Sequence, residues 1–523
     1  MCTIWNKHFL KKNEDIIIVL VIYSLLAIVL LNYYQYIINA DGISYIGIAQ
    51  SYVMGNWGDA INGYWGPLFS WLLTPFLLFA KTPLQALFAA KIISLVAGFF
   101  TIIGADKLSR KLGIQRLFKL AILTTMVPVT LSFAFNMITP DLLVTCLLLY
   151  YLIIIFDPKY PDNLLNGLFC GILGATSFLA KSYALPFFIV HFVLFNLIYY
   201  VKEPSKLKKK NLLKNFFLGI ALFFVISGIW IGAISDKYGE LTIGTSSVYN
   251  QALVGPESQG HPMYYQGLLK PSNDNALSVW EDPSYLKMQE WNPFYSTSYF
   301  KYQIQIIIEN SAKIIHYLEN FSIFSILILV LSLILIKKPV FKDSKNILVY
   351  LLITIMIYCG GYALILVEER YLYLICILLL IMAFYMLNKV YDLQIFNINS
   401  RNILIIFLAT SFVIFPIINL VQLVDLEEGN YKLSQTLATD YVIHGNIASN
   451  GEWEATLHLS YYLTSEYYGV TKNTANSNDI QRELETNAID YYFVWDQSAN
   501  LNLTDYKEIK NNRIKRLKIY SRV

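Results

Sequence analysis

Charge is what this sequence has least of. Only 15% of its 523 residues are charged against 56% hydrophobic, and the mean hydropathy is +0.48. Soluble domains carry about 25% charge, so the shortage excludes an ordinary soluble enzyme. Cysteine is scarce too: Cys2, Cys146, Cys170, Cys359 and Cys376 lie at the N-terminus or inside apolar runs. That placement excludes a disulfide framework and a thiolate metal cage. The apolar runs do not alternate as the strands of a membrane barrel would. No glycine-rich phosphate cradle is found in the polar tail, and the lack of an internal repeat counts against a transporter built from inverted halves. The first apolar run, about Asp15 to Ile38, is too long for a cleaved signal and lacks a small-residue cleavage site, so it reads as a retained start-transfer helix.

What is there is a series of apolar segments of bilayer length, about eleven within the first 420 residues. They are expected near 15–38, 84–105, 117–135, 141–156, 164–180, 183–201, 214–233, 318–336, 346–366, 371–387 and 402–420. Basic residues cluster in every second loop: Lys7, Lys11 and Lys12; Lys107, Arg110, Lys111, Arg116 and Lys119; Lys202 to Lys214; Lys337 to Lys345. By the positive-inside rule these loops are cytoplasmic. The remaining loops then face outward: a first outer loop with juxtamembrane helices at 39–83 and a long insertion at 235–317, rich in Tyr, Trp, Pro, Asn and Gly. A connection of that length is functional or self-structured. An odd span count also places the last segment, 421–523, outside. Its alternating helix-like and strand-like stretches predict a small α/β domain with a partly parallel sheet. The fold class is therefore an α-helical integral membrane protein with a small C-terminal extracytoplasmic α/β domain, set in the plasma (cytoplasmic) membrane.

This sidedness gathers the polar residues that hydropathy leaves unexplained. Asp41 and Asp59 lie in the first outer loop, and Asp141 starts a helix in "MITPDLLVTC". Lys181, in "SFLAKSYALP", and Glu368, Glu369 and Arg370, in "VEERYLY", occupy outer hairpin tips. A charge at bilayer depth costs about 2.5 to 3.5 kcal/mol, so several on one boundary suggest a shared site. Group transfer from a lipid phosphate would suit them. Arg370 could supply a planar bidentate donor and Lys181 a point charge to the leaving phosphate. Asp41 or Asp141 could act as the base for an attacking hydroxyl or amine. Tyr45, Tyr371, Glu369, His261 and Glu257 complete the expected substrate cavity, the last two within "GPESQGHPMYYQG". The aromatics and carboxylates there, with Trp280, Glu281 and Asp282 of "SVWEDPSY", suit a sugar.

Each residue also has a plain structural reading. Asp41 and Asp141 could be helix-start acids, and Lys181 or Lys91 could snorkel to the interface. Arg370 could pair with Glu368 or Glu369, the two tyrosines could belong to the aromatic belt, and His191 and His316 could be packing residues.

The order of these segments resembles the GT-C superfamily of polytopic glycosyltransferases, in particular the branch of aminoarabinose transferases and protein O-mannosyltransferases. "ADGISYIGIAQSYVMGNW", "GPLFSWLLTPFLLF", "TPDLL", "SFLAKSYALPFF" and "VEERYLYLICILLL" carry the resemblance. It implies Asp41 as the catalytic carboxylate, with Asp141, Lys181, Arg370 and Tyr371 at the family's other site positions. It further implies a polyprenyl-phosphate sugar donor, a lipid, glycan or protein acceptor, and inverting transfer on the non-cytoplasmic side. No cofactor is specified, and a divalent metal is left open. The departure is "NGYWGPLF", where relatives carry a Glu-Lys or His before a double proline. A transporter or lipid flippase is the competing reading, and it expects ionisable residues near mid-bilayer and broken helices.

Overall fold

A computed structural model describes residues 2–523 except 343, 396, 473–475, 496–500, 510–513 and 515, with side chains from Asn13 onward. Helix α1 (Cys2–Leu31) leads into three short helices, α2 (Ala40–Val53), α3 (Trp57–Ala60) and α4 (Pro67–Leu77). The bundle continues with α5 (Pro83–Lys111), α6 (Arg116–Asn136), α7 (Asp141–Ile155), α8 (Leu165–Ala180), α9 (Ala184–Lys202) and α10 (Lys206–Tyr238). After α11 (Ser246–Leu253), within the insertion, come α12 (Thr297–Phe321), α13 (Ser325–Ile336), α14 (Lys345–Ala363), α15 (Tyr373–Asp392) and α16 (Ile398–Gln422).

Among the described residues, 8 helices are long and apolar enough to cross a bilayer: α1 from Asn13, α5, α6, α9, α10, α14, α15 with its preceding turn, and α16. The pair α12 and α13, bent by 99°, gives a ninth candidate, while α7 and α8 are apolar but only 15 and 16 residues long. A count of eleven spans requires all three of these to cross.

Of the boundaries that differ from the sequence expectation, two have identifiable reasons. α1 stops at Leu31 rather than Ile38 because the polar aromatic residues beyond it bond elsewhere. The Tyr34 hydroxyl donates to the Leu420 carbonyl at 2.8 Å, and Asp425 N–H donates to the Tyr33 carbonyl at 2.9 Å. The insertion also ends earlier, at Ser296, whose side chain caps α12 by accepting from Tyr299 N–H. Ile306, Asn310, Ile314 and Leu318, four apart, then give α12 a buried stripe.

α15 is the axis of the bundle: every residue from Tyr373 to Met386 is buried. Close helix packing elsewhere uses small residues. At Gly167 and Gly171 of α8 a side chain would collide with the α10 backbone at Asn215 and Gly219. The polar groups inside the bundle are satisfied where their sequence positions raised the question. Buried His191 is bonded by Tyr151 Oη at 2.7 Å on Nδ1 and by Thr354 Oγ1 at 2.9 Å on Nε2, which makes it a packing residue. Lys91 does not snorkel. It is 1% exposed, and its ammonium donates to the Ile37 carbonyl at 2.5 Å. Cys146, Cys170, Cys359 and Cys376 are free thiols.

The C-terminal unit contains α17 (Glu428–Asp440), α18 (Trp453–Leu463) and α19 (Ser477–Thr486) around a five-stranded sheet. Strands β1 (Asn446–Ser449), β2 (Glu466–Val470), β3 (Tyr491–Val494), β4 (Tyr506–Glu508) and β5 (Lys518–Arg522) lie in the order β2-β1-β3-β5-β4. β1 is parallel to β2 and β3, and β5 is antiparallel to β3 and β4, so the expected partly parallel sheet is present. The stretch "EATLHLSYYLTSEYY", helix-like in its sequence throughout, breaks at Thr464 with φ of +51° and continues as β2. Tyr467 and Tyr468 are strand-prone and buried in the sheet, and this outweighs the helical pattern before them.

This unit sits at the same end of the bundle as α2. Tyr461 Oη donates to the Pro83 carbonyl at 2.7 Å, and the Tyr431 ring stacks on Tyr36 with centroids 4.8 Å apart. The insertion runs along β2: Tyr467 N–H donates to the Leu277 carbonyl and Leu269 N–H to the Tyr468 carbonyl, both at 2.7 Å.

Candidate active site

Asp41 lies in the first turn of α2, where a carboxylate meets the positive end of the helix dipole. Its neighbour Asn39 does not cap α2 with its side chain. Instead Asn39 Oδ1 accepts from Ile138 N–H at 2.9 Å, which ties the start of α2 to the segment before Asp141. Asp141 opens α7, and Lys181 follows the last residue of α8, its own N–H donating to the Ser177 carbonyl. Arg370 is carried by a 3-10 turn, Glu369–Leu372, that leads into α15. Four helix ends from distant parts of the chain therefore meet.

They meet in contact. Arg370 Nη1 is 2.6 Å from Asp41 Oδ2, and Arg370 Nε is 2.7 Å from Glu368 Oε2 and 3.9 Å from Asp141 Oδ2. Lys181 Nζ is 2.5 Å from Asp141 Oδ1 and 3.4 Å from the centroid of the Tyr371 ring, a cation–π contact. Tyr371 Oη donates to Glu368 Oε1 at 2.9 Å. The side chains of Asp41 and Arg370 retain 14% and 13% exposure and Lys181 21%, against 4% for Asp141. Asp141 is thus the inner anchor of the cluster, and Asp41, Arg370 and Lys181 are its accessible part.

An aromatic wall borders Asp41. Trp280 Nε1 donates to Asp41 Oδ1 at 3.1 Å, and the Trp280 ring lies 5.8 Å from Trp65, 5.6 Å from Tyr64, 5.9 Å from Tyr249 and 5.3 Å from His261. His261 Nδ1 bonds Tyr249 Oη at 2.9 Å. Burial holds the imidazole below its ordinary value, opposed by the charges of Asp41 and Glu368. Burial also pushes the Tyr64 hydroxyl well up, assisted by the charge on Asp41. The "NGYW" stretch therefore supplies two wall residues, Tyr64 and Trp65.

The remaining expected cavity residues divide. Tyr45 is buried at 3% exposure, with its ring against Trp65 and Phe69 and its carbonyl accepting from Ser70 Oγ. It supports the wall from behind. Glu369 turns away from Arg370 and accepts from Asn320 Nδ2 at 3.1 Å. Glu257 is exposed and held by Gln289 and by Tyr299 Oη, apart from the cluster. Glu368 was among the outer-tip charges expected to share the site but had no role there, and Tyr249 was not placed in it by sequence. For Glu368 the signal was its position two residues before Arg370; Tyr249, in "SSVYNQAL", gave none. Among the described residues no three His, Cys, Asp or Glu side chains are arranged to hold a metal ion; Asp41, Asp141 and Glu368 instead surround Arg370.

No protein-family profile and no curated protein sequence matches the chain. Solved structures do match. ArnT from Cupriavidus metallidurans, determined bound to undecaprenyl phosphate, aligns at a TM-score of 0.57 with 11% identity, over 96% of this chain and 98% of that one. The oligosaccharyltransferase of Archaeoglobus fulgidus, determined with Zn and sulfate, aligns at 0.53 with 12% identity, over 91% of this chain and 67% of that one. The chain is a multi-pass membrane protein that shares its fold with these two structures.

Proposed function

We propose that this protein is a membrane glycosyltransferase that moves a sugar from a polyprenyl-phosphate donor to an acceptor at the outer face of the plasma membrane. The observation that carries the reading is the meeting of Asp41, Asp141, Lys181 and Arg370 from four separate segments at one end of a GT-C fold. A carboxylate beside two cations at a membrane boundary fits transfer from a lipid phosphate. Asp41 orients the acceptor hydroxyl or amine and takes its proton. The acceptor atom attacks the anomeric carbon in line, the bond from that carbon to the phosphate oxygen breaks, and polyprenyl phosphate leaves with the electron pair. Arg370 and Lys181 stabilise the charge on the departing phosphate. Such displacement inverts the anomeric centre. The aromatic wall of Tyr64, Tyr249, Trp280 and His261 is suited to the sugar.

The test is incubation of the purified protein with a panel of polyprenyl-phosphate sugars, with mass spectrometry following donor consumption. Consumption of a donor by wild type, lost in Asp41→Asn while membrane insertion is unchanged, supports the assignment; full activity in that variant sinks it.

A further inference from the structure

We propose that Trp280 is a positioning residue for Asp41, delivered by the long insertion and held in place by the C-terminal sheet; this rests on the transferase reading above. Asp41 is gripped from two sides. Arg370 takes Oδ2, and the Trp280 indole N–H takes Oδ1 at 3.1 Å. A guanidinium alone leaves the carboxylate free to rotate about its own axis. The second donor fixes the plane of the carboxylate, and because an indole is neutral it does so without adding another positive charge beside Asp41.

The seat of Trp280 is built from both neighbouring structures. Its carbonyl accepts from Ser44 Oγ of α2 at 3.2 Å and from Trp65 Nε1 of the first loop at 3.1 Å. The next residue, Glu281, is 4% exposed; its carbonyl accepts from Asn62 Nδ2 at 2.6 Å and its Oε1 from Leu277 N–H at 2.5 Å. The Glu281 carboxyl lies so close to Gly47 of α2 that any side chain there would collide with it. Leu277 in turn gives its carbonyl to Tyr467 N–H of β2, and Ser278 forms a parallel bridge with Tyr467. A continuous series of contacts thus runs from the sheet through Leu277, Glu281 and Trp280 to Asp41. It assigns a role to a C-terminal unit that carries no phosphate-binding signature of its own. It also accounts for Asn62 and Trp65 in the "NGYW" stretch, which hold the insertion.

The experiment compares Trp280→Phe, Glu281→Gln and Glu281→Leu in the full-length protein. Donor turnover is measured over the polyprenyl-phosphate sugar panel, and undecaprenyl-phosphate binding is measured separately. Trp280→Phe keeps the ring and loses the donor, so kcat is expected to fall about 10- to 100-fold while undecaprenyl-phosphate affinity stays within about twofold. Glu281→Gln keeps an acceptor for Leu277 N–H and retains activity, whereas Glu281→Leu behaves like Trp280→Phe. Wild-type kcat in Trp280→Phe overturns the proposal. A second readout does not depend on turnover: in protein labelled with 5-fluorotryptophan, the fluorine resonance that vanishes in Trp280→Phe shifts in Asp41→Ala and in Glu281→Leu but not in Glu281→Gln. A resonance indifferent to Asp41→Ala overturns the positioning role. If wild type consumes no donor, the transferase reading fails, and the resonance still decides whether Trp280 is held on Asp41.

Discussion

Arg370 reaches across 329 positions of chain to place Nη1 2.6 Å from Asp41 Oδ2, and this ion pair joins the first polar segment after α1 to the turn that enters α15. Neither partner is free of other bonds, since Trp280 holds the second oxygen of Asp41 and Glu368 holds Nε of Arg370. Asp41→Asn therefore keeps shape and most contacts while removing the carboxylate proposed as the base. We expect transfer to fall about 10²- to 10⁴-fold, with expression and thermal stability in detergent close to wild type.

Arg370→Lys keeps the charge and loses the fork. Arg370 uses Nη1 and Nε toward different carboxylates, and a single ammonium cannot reach both. Turnover is expected to drop about 10- to 100-fold, as for a lost charge-assisted bond, with weaker undecaprenyl-phosphate binding in an equilibrium assay. Unchanged affinity would show that Arg370 does not meet the phosphate.

Glu281 gives a pH signature. Burial pushes its carboxyl from an ordinary 4.5 up to about 8, so the fold favours the protonated acid. Its contribution is whole below about pH 4.5, where folded and unfolded chains both hold the proton, and is lost as pH rises toward 8. Wild type should lose stability relative to Glu281→Gln across that window, by an amount on the order of 2 to 4 kcal/mol. Melting temperatures of both proteins at pH 5 and pH 8 check this; parallel behaviour would contradict it.

Tyr151→Phe tests the bundle apart from the site. It removes the hydroxyl on His191 Nδ1 and strands a buried ring nitrogen. The cost is about 1 to 3 kcal/mol, visible as a lower melting temperature, with undecaprenyl-phosphate affinity unaffected.

The bundle was legible because bilayer crossing demands long apolar runs, and the spans at α6, α9, α14 and α16 lie within a few residues of their expected limits. Asp41, Asp141, Lys181 and Arg370 were legible for the complementary reason: charge at a membrane boundary is costly and stands out. Local pattern failed where a tertiary partner decides. α1 ends at Leu31 because the end of α16 and the turn after it take the bonds of Tyr34 and Tyr33, and β2 follows α18 because the sheet takes Tyr467. The wall was legible only as composition. Nothing near Trp280 in sequence reveals that its indole N–H meets a carboxylate 239 residues earlier.

The pairing of Leu277 with Tyr467 also sets an order of birth. Asp41 is translated early, Arg370 much later, and the strand that steadies the insertion later still. A nascent chain halted before β2 would hold the carboxylate, the guanidinium and the indole without the strand that steadies the insertion. On the proposed reading, competence for transfer then waits until β2 has been made and paired with the insertion.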